Sequence, residues 1–500
     1  MEGSKKGFSR RKFIGGMAAA SALSVVPRHV LGGAGFVAPS DKINIAQIGA
    51  GTQALRQLNG GTMQRDDVRI TSVTDPNRDT QDYVDWGRFG TRRSIRRLLQ
   101  DDSWGEGDTG TRGGRDYAKL VIDTYYAESG DSDGVRTYED YREMLAAEDD
   151  ADAVVVIVPD HLHAHISIAA MKAGKAVIMH KPVGLSPHEV RRVLETEKET
   201  GAVTHLLAYS APENHGRLKA WLEIGAIGHV LEVHNWTNRP VWPQAWPDYP
   251  QEQVAIPDGL NWDLWQGPIP HQQYHPLLAH TLYRGWYNYG AGCLGDMGNY
   301  SLWQPHRFLK LGAPDMVEAY TSKSVILGDD LVCQTRHYSP VAFPSASQIH
   351  FRHPRTEDRP EVDVYWYSGS MKPQTPEELF MADGQLPGEG MLFVGSNGKI
   401  LCGFRGENPR LLPEHRMTSM NIEEEDVREM NQDDEWTEAV RTKEPSRGSF
   451  SEAASLAETT ALGIAAVQNP ATRLLWDSEN MTFTNADVSS RRTYREGWEL

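Results

Sequence analysis

Cysteine is scarce. Cys293, Cys333 and Cys402 are the three in 500 residues, far apart and without a C-x-x-C pair. That spacing suggests neither a disulfide framework nor a zinc site, and an odd count leaves at least one thiol unpaired within the chain. Positive charge is in deficit. The formal net charge is -17, which argues against nucleic acid as a partner; a scattered surface excess of acid accounts for the number. Long apolar runs are missing too. Residues 15–26 are weakly apolar and rich in Ala, Gly and Ser, but the run is too short to span a bilayer. Internal repeats are absent.

That short run reads as an address. Ser9-Arg10-Arg11-Lys12-Phe13-Ile14 precedes it. A positive region, a short apolar region and small residues make an export signal, and paired arginines make it a twin-arginine signal. The expectation is a periplasmic or otherwise exported protein, cleaved within 32–40, with no stable membrane span afterwards. Twin-arginine export carries folded proteins, so a protein that binds its cofactor before export has a reason to use it.

What is present is organised around residues 42–58. Ile43, Ile45 and Ile48 form a short apolar strand, Gly49-Ala50-Gly51-Thr52-Gln53-Ala54 follows, and Leu55 and Leu58 open a helix. Gly49 permits the tight turn. Gly51 lets a pyrophosphate approach the backbone at the helix N-terminus, where free N–H groups and the dipole favour an anion. Ala54 stands where a third glycine usually packs helix against strand. A second strand over 68–74 ends in Asp75, placed to hold an adenosine ribose. Asp75 favours NAD over NADP, because a carboxylate repels a 2′-phosphate, and nearby Arg78 leaves NADP possible.

Five hundred residues exceed one core, so two domains are expected. Residues 79–137 read as a charged insertion with one or two helices, either over the cofactor or at the surface. Residues 153–158 are a continuous apolar strand of the kind a parallel sheet buries on both faces. Pro159-Asp160-His161-Leu162-His163 breaks to a loop, and a helix follows over 165–173. A strand at 176–179 runs into His180-Lys181-Pro182, before a helix over 186–200. Strands alternating with helices give a doubly wound sheet whose ligands sit beyond the carboxyl ends of the strands. Pro159, His161, His163, His180 and Lys181 all lie at such ends.

The glycine turn, the strand ending in PDHxH, the AGKAVxxHKP segment and a later GDMGNY together resemble the Gfo/Idh/MocA family of oxidoreductases. The resemblance implies an α/β chain with an N-terminal Rossmann dinucleotide-binding domain over 41–208. A C-terminal α/β domain with an open, mostly antiparallel sheet would follow over 209–480, between a signal and linker at 1–40 and a tail at 481–500. One sheet face would cover the active site; the other often makes a subunit interface, which implies a homo-oligomer. In the family a Glu-Lys-Pro lysine points between nicotinamide and sugar. Lys181 matches it, with His180 in place of the glutamate. Asp296 matches a family acid, Tyr300 stands at the usual histidine and Trp303 at a later acid. Under this resemblance Tyr300, with its pKa lowered by Lys181, acts as base, and Asp296 orients the sugar or relays the proton. Read from the residues alone, Asp296 caps a helix running from Tyr300.

The second domain has strand-like runs at Val230–Trp236, Met316–Thr321, 347–351, Val362–Tyr367, 391–394 and 399–401. Asn397-Gly398 marks a hairpin between the last two. Trp236, Trp242, Trp246, Trp262, Trp265 and Trp286 crowd one stretch with Arg239, Tyr249, Tyr274, Tyr283 and Tyr287. Such density suits a sugar, whose C–H faces stack on rings while polar groups bond its hydroxyls; packing suits any single tryptophan equally. Arg239, Trp242, Arg284, Trp286, Asn299 and His306 are the candidate substrate residues.

The leading expectation is an exported NAD(P)-dependent oxidoreductase moving hydride between a carbohydrate C–OH and tightly bound nicotinamide. An alternative is an NAD-dependent glycoside hydrolase working by transient C3 oxidation, elimination and re-reduction, with His271, His275 and His280 as possible acids or bases. A third is a non-catalytic sugar- or cofactor-binding protein. No metal is expected.

Overall fold

The protein is described from a computed structural model, which covers residues 37–85, 87–129, 134–209, 215–327, 330–336, 338–382, 384–419 and 431–500. The expected export signal, Ser9–Ile14 and the run after it, falls outside the described residues.

The first domain opens with β1 (Ile43–Ile48), α1 (Thr52–Gly60) and β2 (Val68–Thr74). It continues through β3 (Thr80–Tyr83), α2 (Arg88–Leu99), β4 (Thr111–Gly113), α3 (Arg115–Ser129), β5 (Arg136–Tyr138), α4 (Tyr141–Ala147) and β6 (Ala153–Val156). It ends with α5 (His163–Lys172), β7 (Ala176–Met179), α6 (Pro187–Thr200) and β8 (Thr204–Leu206). Six of these strands form one sheet in the order β5-β2-β1-β6-β7-β8, all pairs parallel. β6 and β7 are buried at every residue, as strands covered on both faces must be. Order reverses between β1 and β6, so a crevice opens above their carboxyl ends. β3 and β4 form a separate two-stranded ribbon, and Tyr83 at the end of β3 sits over the glycine turn.

The second domain holds α7 (His215–Glu223), β9 (Val230–Trp236), β10 (Met316–Thr321), the hairpin β11 (Ser324–Leu327) and β12 (Cys333–Arg336), and β13 (Ser347–His353). β14 (Val362–Tyr367), β15 (Gly390–Gly395), β16 (Gly398–Cys402) and β17 (Arg410–Leu412) follow. The chain closes with α8 (Gln432–Thr442), α9 (Ala454–Gln468), β18 (Leu474–Asp477) and β19 (Thr482–Phe483). Nine strands form one sheet in the order β17-β16-β15-β9-β14-β13-β10-β18-β19. Only β9 and β14 pair in parallel; the other pairs are antiparallel. The expected fold class holds in both halves.

Two segments depart from the sequence-based domain limits. Helix α8 packs Trp436, Ala439 and Val440 against Ile43, Ile45 and Ala153, so it covers the first sheet rather than the second. Residues 489–500 return to the first domain as well, where Arg492 and Tyr494 meet Glu189 of α6. Neither contact has a local signature, because both are made by segments about 280 to 400 residues from their partners in sequence. The helix expected from Tyr300 onward is also broken. A π-helical turn at Leu294–Gly298 leads into short helices at Asn299–Ser301 and Trp303–Phe308. Trp303 is 3% exposed, packed in the core where the family pattern has an acid. Among the described residues, no helix is long and apolar enough to cross a membrane.

Candidate active site

One cleft runs along the crevice above β1 and β6 and encloses about 1010 Å³ of non-atom space, open solvent at its mouth included. Gly49, Gly51, Thr52, Gln53, Ala54, Asp75, Pro159, His180 and Lys181 all line it, together with Arg284 from the second domain.

Its first end is the glycine turn. Gly49 has φ +96°, and a Cβ there would lie 2.0 Å from the Ile157 carbonyl oxygen. Only glycine fits that approach of the turn to the end of β6. No side chain caps α1, so its first N–H groups are left for an anion. At Gly51 a Cβ would reach 3.6 Å from the Tyr83 ring, so that ring walls the cradle a diphosphate needs. Asp75 ties this end together: Oδ2 accepts the Ala50 N–H at 2.6 Å and Oδ1 the Asn77 N–H at 2.8 Å. Burial pushes its carboxyl up to about 6, against those two bonds and the Arg115 charge. Glu139 and Asp140, beyond β5, line the same wall, the Asp140 carboxylate capping α4 and pairing with Arg142. These features fit the residues to an NAD adenosine and diphosphate.

The other end is charged and buried. Lys181 is 4% exposed. Its Nζ donates to Asp296 Oδ1 in a short hydrogen bond, and Arg284 Nε lies 3.3 Å from the same oxygen. Burial alone would raise the Asp296 pKa; the Lys181 and Arg284 charges outweigh it and hold the carboxyl at about 2. Two distant parts of the chain make this cluster: the end of β7, and the stretch that carries Arg284 in a 3-10 helix (His280–Gly285) and Asp296 in the π-helical turn. Asp160 fastens that stretch across the domains. Its Oδ1 accepts from the Tyr283 hydroxyl at 3.1 Å and its Oδ2 from the Ala291 N–H at 2.9 Å.

Comparison with known proteins agrees with this arrangement. Residues 119–207 match the family model described as oxidoreductase family, NAD-binding Rossmann fold, and residues 216–317 match its C-terminal alpha/beta domain. Both models are of the Gfo/Idh/MocA oxidoreductase family. Inositol 2-dehydrogenase of Salmonella typhimurium is 28% identical over 119 residues, 23% of this chain and 33% of that protein. Levoglucosan dehydrogenase of Pseudarthrobacter phenanthrenivorans is 33% identical over 116 residues, 21% of this chain and 29% of that one. The chain thus spans about a third of the length of the curated relatives it matches. Among solved structures, WlbA dehydrogenase of Chromobacterium violaceum, in complex with NADH and UDP-GlcNAcA, superimposes with TM-score 0.50 at 13% identity. It covers 87% of this chain and 96% of that chain. That likeness is one of fold alone.

Several residues singled out in the sequence are turned away from the cleft. His161 and His163 do not line it. The His161 ring nitrogens lie 3.2 and 2.9 Å from the Tyr289 and Trp265 carbonyls, and those of His163 lie 2.7 and 3.1 Å from the Pro182 and Val158 carbonyls. Both brace loops. Burial drives the His161 pKa down to about 3. Tyr300 does not have the lowered pKa expected of a base. Burial raises it, and the Lys181 charge, 5.4 Å from its ring, only offsets part of that. Its hydroxyl lies 3.4 Å from His180 Nε2, and burial followed by the Lys181 charge keeps His180 neutral. Asp296 pairs with Lys181 rather than capping a helix.

The substrate candidates divide. Arg284 lines the cleft. Trp286 is 0% exposed, stacked on Trp246 at 4.5 Å and on Tyr249 at 5.1 Å, with its Nε1 donating to the Leu277 carbonyl. It is core. His306 meets Ser455 Oγ at 2.9 Å and the His353 ring, also away from the cleft. Asn299 donates to the Gly295 carbonyl. Trp242 donates to Gln244, while the Arg284 guanidinium lies 6.0 Å from its ring. Arg239 does not line the cleft either; it is part-buried near the Cys293 thiol, which burial pushes up.

Sequence reasoning did not assign Tyr83, Glu139, Asp140 or Trp498 to the site. Glu139 and Asp140 follow a parallel strand, where the carboxyl-end rule could have found them. Tyr83 and Trp498 carry no such signal. His280 stands in the sequence as a candidate acid, base or metal ligand. It lines the cleft with φ +50°, its ring 3.9 Å from that of Tyr83 and its buried Nδ1 without a hydrogen-bond partner. His271 and His275 do not line the cleft.

Proposed function

We propose that this protein is an NAD-dependent carbohydrate oxidoreductase, exported by the twin-arginine route suggested by Ser9–Ile14. The observation that carries the activity is the Lys181–Asp296–Arg284 cluster at one end of the cleft whose other end is the glycine turn. A buried ammonium and guanidinium sharing one carboxylate suit an oxygen that alternates between hydroxyl and carbonyl.

The α1 N–H groups hold the diphosphate, and Asp75 accepts from the adenosine ribose hydroxyls. The Asp75 carboxyl disfavours a 2′-phosphate, and Glu139 lines the same wall. When bound, the nicotinamide supplies a hydride acceptor and donor. Lys181 Nζ gives and takes the proton of the reacting oxygen. Asp296, ionised throughout the neutral range, fixes that ammonium and accepts from a neighbouring sugar hydroxyl. Arg284 adds a second donor. The names of the two relatives, inositol and levoglucosan dehydrogenases, support a polyol or pyranose as the substrate class.

The test is made on protein purified without added cofactor. Nucleotide released on denaturation is identified by mass, and the native protein is incubated with free sugars and aryl glycosides. Released NAD(H) with a sugar oxidised or reduced bears the proposal out. Aglycone release without net NADH would instead show the redox-assisted glycosidase. Failure of the protein to carry or bind NAD removes the reading altogether.

A further inference from the structure

The last twelve residues are an unusual wall for a dinucleotide cleft. They come from the far end of the chain, yet Trp498 lines the cleft beside Tyr141, Leu162, Ile166, Leu264 and Trp265. That corner is apolar and aromatic, and it lies next to the carboxyl groups of Glu139 and Asp140. A flat base beside its ribose needs such a pairing of surfaces.

The segment is fastened before it reaches the corner. The Ser490 carbonyl accepts the His188 N–H at 3.1 Å. Arg492 lies 3.3 Å from the buried Glu189 carboxylate, and the Tyr494 hydroxyl donates to the same group at 2.8 Å. The Arg495 N–H donates to the Pro268 carbonyl at 3.0 Å, and its guanidinium pairs with Asp263. A turn then aims the indole inward. The Trp498 N–H donates to the Arg495 carbonyl at 3.2 Å across Gly497, whose φ is +83°. The position demands a residue tolerant of positive φ. Finally His165 Nε2 lies 2.8 Å from the Trp498 carbonyl oxygen, and the Arg142 guanidinium lies 5.0 Å from the indole ring. Five successive attachments would be excessive for a loose terminus.

We propose that residues 489–500 are a strap that retains the dinucleotide, with Trp498 as the aromatic wall of its adenine subsite. This rests on the dinucleotide reading above and adds a function to a segment that neither matched domain includes.

The experiment follows NAD dissociation from the full-length protein, using Trp498→Ala, Trp498→Phe and Arg495→Ala. Trp498→Ala is expected to release NAD about tenfold faster, the loss of one base-stacking surface, with its melting temperature without NAD unchanged. Trp498→Phe should restore most of the retention, and Arg495→Ala should fall between. Release at the wild-type rate from Trp498→Ala overturns the strap and leaves the dinucleotide reading standing. Equal loss of retention in the Ala and Phe variants also overturns it, because a merely structural role does not follow ring size. Absence of NAD binding in the wild type overturns the dinucleotide reading, and the strap with it.

Discussion

The two ends of the cleft are built on different principles. The glycine turn and Asp75 lie within one stretch, joined by backbone hydrogen bonds and a helix N-terminus. The Lys181–Asp296–Arg284 cluster draws on residues more than 100 positions apart, joined by charge across two domains. A local site is held by backbone geometry and survives in any sequence with the right glycines. An assembled site depends on the domains meeting correctly, and it can put charges where water cannot screen them. The first suits a cofactor common to many proteins, and the second suits chemistry that differs between them.

The sharpest way to break the comparison is at the assembled end. Lys181→Ala should lower kcat by about 10³-fold with NAD affinity nearly unchanged, since a proton-transferring group is worth about that much. Steady-state kinetics beside NAD titration checks the split. The same change leaves the buried Asp296 carboxylate with Arg284 as its remaining cation of the cluster. Its pKa is then no longer held near 2 and rises. In the wild type that depressed value contributes stability fully above the unfolded carboxylate value, lost as pH falls through about 2.

Gly49→Ala attacks the local end. A methyl 2.0 Å from the Ile157 carbonyl at φ +96° should cost about 3 kcal/mol of stability through strain and displacement. NAD binding should fall with it, because the helix start moves. Thermal unfolding with and without NAD measures both.

Trp286→Phe tests whether the aromatic stretch is core or sugar platform. With its ring stacked on Trp246 and Tyr249, the variant should lose about 1–2 kcal/mol of stability and keep the Michaelis constant for sugar. A large rise in that constant with stability unchanged would return Trp286 to the substrate site.

The smallest effect is a titration. Asp75, with its carboxyl pushed to about 6, binds a proton in the folded chain at pH values where the unfolded chain has released it. Stability without NAD therefore falls as pH rises from about 4 to about 6. NAD affinity should move the other way, rising by about tenfold from pH 5 to pH 7 as the ionised carboxylate becomes available to ribose hydroxyls. Calorimetric titration across that range checks the opposed signs. A parallel trend would remove Asp75 from the ribose.

Legibility followed the same division. Five of the six strands of the parallel sheet were readable because each is a short apolar run closed by a turn or loop; β5, Arg-Thr-Tyr with its first two residues exposed, carries no such run and was read as the end of the insertion and the start of a helix. The strands Val68–Thr74, Ala176–Met179, Val230–Trp236, Met316–Thr321 and Val362–Tyr367 have the bounds their patterns predict. His161, His163 and His306 were misleading because a histidine near a strand end or helix looks the same whether it faces a ligand or a buried carbonyl. Trp286 misled for a related reason: aromatic density marks a core as readily as a sugar site. Trp498 gave no signal, because its partners lie more than 200 positions away.

By itself the sequence determined what depends on neighbours within a few residues: the alternating strands and helices, the positive-φ glycine beneath the cofactor cleft, and the lysine at the end of β7. Only the tertiary structure decided the rest. It paired Lys181 with Asp296, turned Tyr300 into a buried phenol whose pKa burial raises, sent α8 back to the first sheet and laid Trp498 against the cleft. Those outcomes depend on burial and on charges that meet through space, and neither is encoded by spacing along the chain.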